Sequence, residues 1–201
     1  HYENTLANGI AWYYRNEATP FVFRAVNRLD RDTSGLVLLA KNPYSSCVLS
    51  DAVKDHTIHR EYAAIVSGKT DASGTIDLPI ARKDGSTIER VCDPERGETA
   101  VTHYRTFAYN KDADISFIRL LLETGRTHQI RVHMKAIGHP LPGDFLYCPD
   151  YRFIDRQPLH STYLSFSHPV TGEKLEFSAP LPGDMRKLFP NIKDPSGPVF
   201  Y

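Results

Sequence analysis

Residues 24–41 read R-A-V-N-R-L-D-R-D-T-S-G-L-V-L-L-A-K, and this stretch decides how the rest of the chain is interpreted. Three arginines and two aspartates crowd against the turn Thr33-Ser34-Gly35. The apolar run that follows, residues 36–40, predicts a short buried strand. Charges at a turn that is backed by a strand are typical of a site on a rigid scaffold. A solvated turn with surface ion pairs is the alternative, and this stretch alone does not separate the two.

The composition predicts one domain without a general affinity for nucleic acid. The 201 residues are 41% hydrophobic, which is enough for a proper core. Twenty-four basic and 24 acidic residues give a formal net charge of zero. Small proteins that bind nucleic acid without specificity are strongly basic, so that class is excluded. An enzyme that acts on RNA would have to concentrate its positive charge locally.

The cysteines and the hydropathy pattern favour a reducing, cytoplasmic compartment. Cys47, Cys92 and Cys148 are odd in number, and no C-x-x-C occurs. Neither a disulfide framework nor a structural zinc site is therefore indicated. No apolar run approaches membrane-spanning length, and no signal peptide is visible.

Periodicity predicts both helices and strands, and the strands and turns of residues 60–123 predict a meandering antiparallel sheet. The predicted helices cover 5–16, 43–56, 127–137 and 184–189. The predicted strands beyond the first cover 60–68, 99–108, 115–123, 162–167 and 174–178, the last two as a hairpin. Thr5 and Thr127 are the expected N-caps. We expect Trp12, Tyr13 and Tyr14 on the first helix to lie in the core rather than to form a base-stacking platform.

Three stretches resemble a known family. Arg28-Leu29-Asp30-x-x-Thr33-Ser34-Gly35 resembles the catalytic motif of the RluA-type pseudouridine synthases, in which a His usually stands at the position of Asn27. Residues 60–68, R-E-Y-A-A-I-V-S-G, are similar to the second family motif. Residues 125–133, G-R-T-H-Q-I-R-V-H, match the third. Residues 138–147 continue the resemblance.

The resemblance implies the family's α+β fold, with a mixed, mostly antiparallel central sheet and with flanking helices and loops around a catalytic cleft. It also implies roles for eight residues. Asp30 would be the catalytic carboxylate, Tyr62 would stack on the target uracil, and Arg131 would form a salt bridge with Asp30. A bidentate pair would keep Asp30 ionised and oriented. The expected RNA-binding and base-flipping residues are Arg28, which would fill the space left by the flipped base, and Arg31, Arg126, His128 and Lys135.

The implied reaction is the isomerisation of uridine to pseudouridine in RNA, by an isomerase of the intramolecular transferase type. Breaking N1–C1′ and joining C5 to C1′ leaves an isomer, so no cofactor is expected. Asp30 could attack C1′ or abstract a ribose proton to give a glycal, and the sequence leaves both routes open. The expected partner is a structured RNA, either large-subunit ribosomal RNA or transfer RNA. We expect no membrane partner and a monomer.

No metal is expected either. His128, His133 and His139 are numerous enough to suggest a metal site, but the first two are spaced i,i+5 and do not share a helix face. Two other functions stay open. One is a catalytically silent RNA-binding domain of the same fold, which Asn27 and the neutral charge would fit. The other is an unrelated hydrolase that uses Asp30 with a histidine.

The predicted domain organisation is a single catalytic domain over residues 1–201. The family's usual Lys-Pro signature does not occur, and the chain opens with His1. We therefore expect that the extreme N-terminal segment of the family's domain, and any appended RNA-binding module, lie outside this sequence.

Overall fold

A computed structural model describes residues 3, 5–16, 21–192 and 197–200, which form four helices and nine strands. The helices are α1 (Leu6–Tyr13), α2 (Pro43–Lys54), α3 (Gln129–Ala136) and α4 (Gly183–Leu188). The strands are β1 (Ser34–Gly35), β2 (His59–Ser67), β3 (Ser73–Asp77), β4 (Ile80–Arg82), β5 (Arg90–Cys92), β6 (Val101–Asn110), β7 (Ile115–Leu122), β8 (Leu159–Ser167) and β9 (Lys174–Ser178). The chain divides into two compact units. The smaller contains residues 1–29, 37–58 and 166–175, and the larger contains 30–36, 59–165 and 176–201.

The larger unit is built on a sheet in the order β1-β8-β2-β7-β6-β3, with β9 beside β8. Strand β1 pairs with β8 in parallel, whereas β2, β7, β6 and β3 pair in antiparallel fashion. Strands β4 and β5 form a separate two-stranded sheet. The predicted α+β class with a mixed, mostly antiparallel sheet is therefore confirmed. The predicted strands 60–68, 99–108 and 115–123 correspond to β2, β6 and β7.

Strand β2 runs through the centre of the sheet and is buried along most of its length. Its run Ala63 to Val66 is fully buried, as expected for a central strand covered on both faces. The main apolar cluster on this strand packs β2 and β7 against residues near the C-terminus. Its buried members are Ala63, Ile65, Ile115, Phe117, Ile154, Leu181, Met185 and Phe189.

The smaller unit contains α1 and α2, both with the expected N-terminal signals. Thr5 caps α1 in a capping box with Asn8, and Asn42 caps α2 ahead of Pro43. The expectation that Trp12 and Tyr13 lie in the core is wrong, since they are 67% and 75% exposed. Helix α1 buries none of its residues, and Tyr14 just beyond it is half-buried. An apolar helix face becomes part of a core only where another element covers it.

The prediction of a strand over residues 36–40 is also wrong. Regular pairing ends at Gly35, and only Ala40 in this run is buried. In the smaller unit the run instead pairs irregularly with the segment before the first motif. The Val26 N–H donates to the Leu38 carbonyl at 2.9 Å, and the Ala40 N–H donates to the Arg24 carbonyl at 2.9 Å. An apolar run can satisfy its backbone in this way without becoming a strand.

Helix α3 begins later than predicted, and Thr127 is not its N-cap. His128 holds that position in a left-handed conformation, with φ of 59° and no capping hydrogen bond from its side chain. The Gln129 side chain satisfies the preceding turn by accepting from Thr124 Oγ1 at 2.8 Å and from the Arg126 N–H at 2.9 Å. The C-terminal end is as predicted, with Gly138 at a positive φ.

The remaining predicted elements are present. The hairpin predicted over 162–167 and 174–178 is formed by β8 and β9, although β8 begins earlier, at Leu159. In the smaller unit the His168 N–H donates to the Glu173 carbonyl at 2.7 Å and closes the turn. Helix α4 corresponds to the helix predicted over 184–189 and is shifted by one residue towards the N-terminus. Among the described residues, no helix is long and apolar enough to cross a membrane.

Candidate active site

Asp30 lies at the start of a tight loop that leads into β1. The Thr33 N–H donates to the Asp30 carbonyl at 3.0 Å, and Asp32 has a φ of 69°. Left-handed backbone is rare outside glycine, and aspartate is among the residues that tolerate it. The fully buried Gln157 fixes the loop from the other side. Its Nε2 donates to the Arg31 carbonyl and lies 3.3 Å from Thr33 Oγ1.

A second anchor holds the same loop through an arginine. Arg156 Nη1 donates to the Asp32 carbonyl at 3.0 Å. The Arg156 guanidinium is itself fixed by two hydrogen bonds to Asp184, at 2.7 Å from Nε and 3.0 Å from Nη2. The loop that carries Asp30 is therefore rigidly placed, as a catalytic group requires.

Gly35 allows the loop to approach β8 closely. Ser34 and Gly35 pair with His160 and Ser161, and a Cβ at Gly35 would lie 2.1 Å from the Ser161 carbonyl oxygen. Its φ of 111° is also unfavourable for other residues. Ser34 Oγ lies 2.9 Å from His160 Nδ1, and this hydrogen bond joins the loop to β8.

Arg131 projects from α3 and joins two carboxylates. Its Nη1 donates to Asp30 Oδ2 at 3.1 Å, so the predicted salt bridge is present. The bidentate pair, however, is formed with Asp144 and not with Asp30. Arg131 Nε lies 2.6 Å from Asp144 Oδ2, and Nη2 lies 2.7 Å from Asp144 Oδ1. One carboxylate therefore fixes the guanidinium fork, and the third edge of that fork is turned to Asp30.

Burial and charge act in opposite directions on Arg131. Burial alone would lower the pKa of its guanidinium, but hydrogen bonds and charge from Asp144 and Asp30 outweigh burial and raise it. Asp144 is fully buried, and its Oδ1 also accepts from the Leu146 N–H at 3.0 Å and the Tyr147 N–H at 3.2 Å. The positive charge beside Asp30 is therefore permanent and its position is fixed.

Tyr62 lies on β2 next to the same part of β8. It pairs with Ser161, which on its other side pairs with Gly35 of the Asp30 loop. Burial raises the pKa of the Tyr62 hydroxyl, and the negative charge of Asp30 adds to this, while Arg60 opposes both. Tyr62 is therefore protonated at neutral pH. The structure brings Asp30, Tyr62 and Arg131 together in one unit.

His128 is held by Tyr147. The His128 Nδ1 atom lies 2.8 Å from the Tyr147 hydroxyl, which also accepts from the Arg90 N–H at 2.9 Å. Burial raises the pKa of Tyr147 to about 12, so this hydroxyl keeps its proton at neutral pH. Burial lowers the pKa of His128, and Arg131 contributes to the same shift, while Asp30 opposes it. His128 is therefore neutral at pH 7.

The other predicted RNA-binding residues are placed differently from one another. Arg31 is exposed and stacks on the ring of Phe145, with its guanidinium carbon 4.3 Å from the ring centroid. Arg126 is partly committed to Glu98 and to the Thr99 carbonyl. Lys135 Nζ is exposed and lies 5.5 Å from the centroid of the Tyr147 ring. Arg28 is exposed and belongs to the smaller unit.

The histidines that could have suggested a metal site have protein partners. His133 is fully buried and lies 2.9 Å from both Thr102 Oγ1 and the Leu78 carbonyl oxygen. His139 Nδ1 lies 2.8 Å from the Ser67 carbonyl oxygen. In the part of the chain that the structure describes, no group of three or more potential ligands could hold a metal ion.

Sequence reasoning missed two functional positions. Asp144 was recognised only as part of the stretch 138–147, and no signal distinguished it from other aspartates at turns. Gln157 was missed altogether, because an amide that supports a loop 126 residues earlier leaves no local pattern. Phe145 follows Asp144 and carries the exposed ring on which Arg31 stacks.

The sequence profile of one family matches most of this site. The family is described as RNA pseudouridylate synthase, and the match covers residues 6–136, which include Asp30, Tyr62 and Arg131. Among solved structures, human RNA pseudouridylate synthase domain containing 1 is similar, with a TM-score of 0.71 and 28% identity. That similarity covers 79% of this chain and 69% of the human one.

Curated relatives from bacteria are similar over nearly the whole chain. The uncharacterized RNA pseudouridine synthase YjbO of Bacillus subtilis is 48% identical over 189 residues, which cover 94% of this chain and 66% of the relative. The ribosomal large subunit pseudouridine synthase D of Zymomonas mobilis is 39% identical over 208 residues, 94% of this chain and 63% of the relative. The chain thus spans just under two thirds of the length of these relatives. With its profile match and its Asp30–Arg131 pair, this chain belongs to the RNA pseudouridylate synthase family.

Proposed function

We propose that this chain isomerises uridines in RNA to pseudouridine. The observation that carries the proposal is the geometry of Asp30. Its carboxylate is held on a rigid loop by one hydrogen bond from Arg131, beside a tyrosine, and remains 16% exposed. A carboxylate that is oriented but not enclosed can still reach a substrate atom.

Asp30 is the proposed catalytic residue. On one route an Asp30 oxygen bonds to C1′ of the target uridine as the N1–C1′ bond breaks, and this ester bond breaks in turn when C5 of the rotated uracil bonds to C1′. On the other route Asp30 removes a ribose proton as the N1–C1′ bond breaks, and returns it when C5 bonds to C1′. On both routes C5 then releases its hydrogen as a proton and N1 takes up a proton, so the product is an isomer. Arg131 holds Asp30 in place, and Asp144 holds Arg131 in place.

Tyr62 is the proposed partner of the uracil ring. Its side chain is largely buried on β2, so only a limited part of the ring is available to a flipped base. Enzymes that act on a base take it out of the stack and hold it against aromatic side chains. We assign Arg28 to the space that the flipped base leaves, and Arg31, Arg126, His128 and Lys135 to contacts with the RNA.

The proposed partner is a structured RNA. The Zymomonas mobilis relative is named for the large ribosomal subunit, which supports large-subunit ribosomal RNA over transfer RNA. An enzyme that acts on this RNA would work in the cytoplasm. The proposal treats residues 1–201 as one catalytic domain that acts as a monomer without a cofactor.

The test is the release of tritium from ribosomal RNA labelled at C5 of its uridines, because pseudouridine formation must expel that hydrogen. We expect release by the parent chain and a loss of about 10³-fold or more in Asp30→Asn. Asp30→Asn should change the free energy of unfolding by less than about 1 kcal/mol, since the amide oxygen of Asn can still accept from Arg131 and the side chain is partly exposed. Full activity in Asp30→Asn would contradict the role of Asp30. RNA binding without release in either chain would favour the silent RNA-binding domain.

A further inference from the structure

Arg60 is a buried cation that the proposed chemistry does not use. It lies on β2 two residues before Tyr62, so both side chains project from the same face of the sheet. Arg60 is only 8% exposed. Within the described residues, its Nε atom is buried and has no hydrogen-bond partner.

The other two buried arginines of the larger unit show what is unusual about Arg60. Arg119 pairs with Glu61 at 2.8 Å, and Arg131 pairs with Asp144 at 2.6 Å. No carboxylate among the described residues forms an ion pair with Arg60. A buried charge without a partner is strongly destabilising, and apolar residues of similar size are often neutral or stabilising in its place. An arginine kept under such conditions is expected to meet an anion that comes from outside the chain.

Gly125 lies next to the Arg60 guanidinium and has no side chain to cover it, and we call this uncovered place the opening. A Cβ at Gly125 would lie 3.4 Å from Arg60 Nη1 and 3.6 Å from Nη2, which is van der Waals contact. Gly125 is exposed, and its φ lies outside the left-handed region, so its backbone does not require glycine. Any larger side chain would cover the two terminal nitrogens of Arg60. The absence of a side chain at this exposed position therefore leaves the terminal nitrogens of Arg60 uncovered on this side.

The opening lies beside the proposed catalytic residues. Arg60 opposes the effect of burial on the pKa of Tyr62, and Asp30 reinforces it, so the three groups are within electrostatic reach of one another. Gly125 is also part of the turn that leads to His128 and α3. A nucleotide with its sugar at Asp30 and its base at Tyr62 would bring its own phosphates to this place.

We propose that Arg60 is a phosphate-binding residue, which binds a phosphodiester of the RNA strand that carries the target uridine through the opening at Gly125. This inference rests on the proposed function. The planar fork of a guanidinium matches two phosphate oxygens, and a full negative charge offsets the burial of the cation better than a uracil carbonyl would. The residue positions the strand and does not act on the reacting atoms.

The first test is Arg60→Met, measured with and without RNA. Without RNA, in a buffer free of phosphate and sulfate, we expect the variant to unfold at a higher temperature than the parent, since an unpaired buried charge is removed. With ribosomal RNA in filter binding, we expect weaker binding and a slope of log K against log salt that is less steep by about 0.7, the value for one phosphate contact on a single strand. A matched control is Arg96→Met, whose arginine is already paired with Asp84 and Asp93. It should leave the slope unchanged.

The second test closes the opening and leaves Arg60 in place. Gly125→Asp would provide a carboxylate at the guanidinium, so we expect the same loss of RNA binding and the same reduction of the slope as in Arg60→Met. The two changes combined should cost no more than either alone, because both remove one contact. Additive losses, or an Arg60→Met protein that is less stable without RNA and has an unchanged slope, would overturn the inference.

These measurements separate this inference from the proposed function. RNA binding is followed without turnover, whereas the synthase activity is followed by tritium release. If the parent chain releases tritium and the Arg60→Met variant binds RNA as well as the parent does, the phosphate site alone is overturned. A chain whose binding depends on Arg60 but which releases no tritium would overturn the activity alone.

Discussion

Two buried ion pairs of the larger unit, Glu61 with Arg119 and Arg131 with Asp144, have opposite characters. Glu61 and Tyr62 project to opposite faces of the sheet. On one face Glu61 pairs with Arg119, both fully buried, and its oxygens also accept from the Val199 and Phe200 N–H groups at 2.8 to 3.0 Å. On the other face, beside Tyr62, the pair of Arg131 and Asp144 extends to a third group, Asp30, which is partly exposed.

We call Glu61 with Arg119 the closed pair, and Arg131 with Asp144 and Asp30 the open arrangement. The two differ in whether a carboxylate is left free to contact a substrate. In the closed pair the carboxylate is surrounded by donors from the protein, so it contributes to stability only. In the open arrangement, Asp144 takes the bidentate contact and Asp30 receives a single hydrogen bond, at 3.1 Å. Dividing the two tasks between two carboxylates leaves Asp30 capacity to react.

The largest expected effect comes from breaking the open arrangement at its centre. Arg131→Leu should abolish tritium release and lower the free energy of unfolding by about 3–5 kcal/mol, because it leaves Asp144 buried without its cation. Denaturant unfolding and the tritium assay measure the two losses separately. Arg131→Lys is the control, since it keeps the charge and removes the fork. A normal rate and normal stability in Arg131→Leu would contradict the role of the pair.

Breaking the closed pair should affect stability and leave chemistry intact. Glu61→Gln removes the charge but keeps an acceptor for Val199 and Phe200, so we expect a loss of about 1–3 kcal/mol. Tritium release per folded molecule should be unchanged. A rate that falls as far as in Arg131→Leu would show that the two faces of β2 are not independent.

The closed pair also predicts a dependence on pH. Burial would raise the pKa of Glu61, but hydrogen bonds from His59, Phe200 and Val199 and the charge of Arg119 outweigh it and lower the pKa. The folded state thus binds this proton less readily than the unfolded state. The stabilisation is present above the ordinary pKa of 4.5 and is lost as the pH falls through the folded value. Glu61→Gln should flatten the stability curve below pH 4.5.

The smallest expected effect comes from the edge of the open arrangement. Tyr147→Phe removes the hydroxyl that joins the Arg90 N–H to His128, and we expect a loss of about 1–2 kcal/mol in thermal unfolding. The rate should change little, because Asp30 and Arg131 are not hydrogen-bonded to this hydroxyl. Tyr151→Phe, at an exposed tyrosine, should change stability by less than about 0.5 kcal/mol. Equal losses of thermal stability in Tyr147→Phe and Tyr151→Phe would contradict a structural role for the Tyr147 hydroxyl.

Local patterns predicted most of the elements, because caps and buried runs depend on neighbouring residues. Thr5, Pro43 and the run along β2 are examples. The motifs also predicted that Asp30 and Arg131 meet, although 101 residues separate them. The second carboxylate at Asp144 could not be predicted, since its role depends on the direction of a side chain from another element. The exposure of Trp12 could not be predicted for a similar reason, because helical spacing does not say what covers a face.

The anchoring of the Asp30 loop has a consequence for the order of folding. Ser34 and Gly35 find their partners at His160 and Ser161, and Ser34 is separated from His160 by 126 residues. Contacts between such distant positions require a large loop to close first, which slows their formation. During synthesis from the N-terminus, the Asp30 loop is made well before β8, so it acquires its final position only after β8 has been made. The loop that carries Asp30 therefore depends for its position on a strand that does not yet exist when the loop is made.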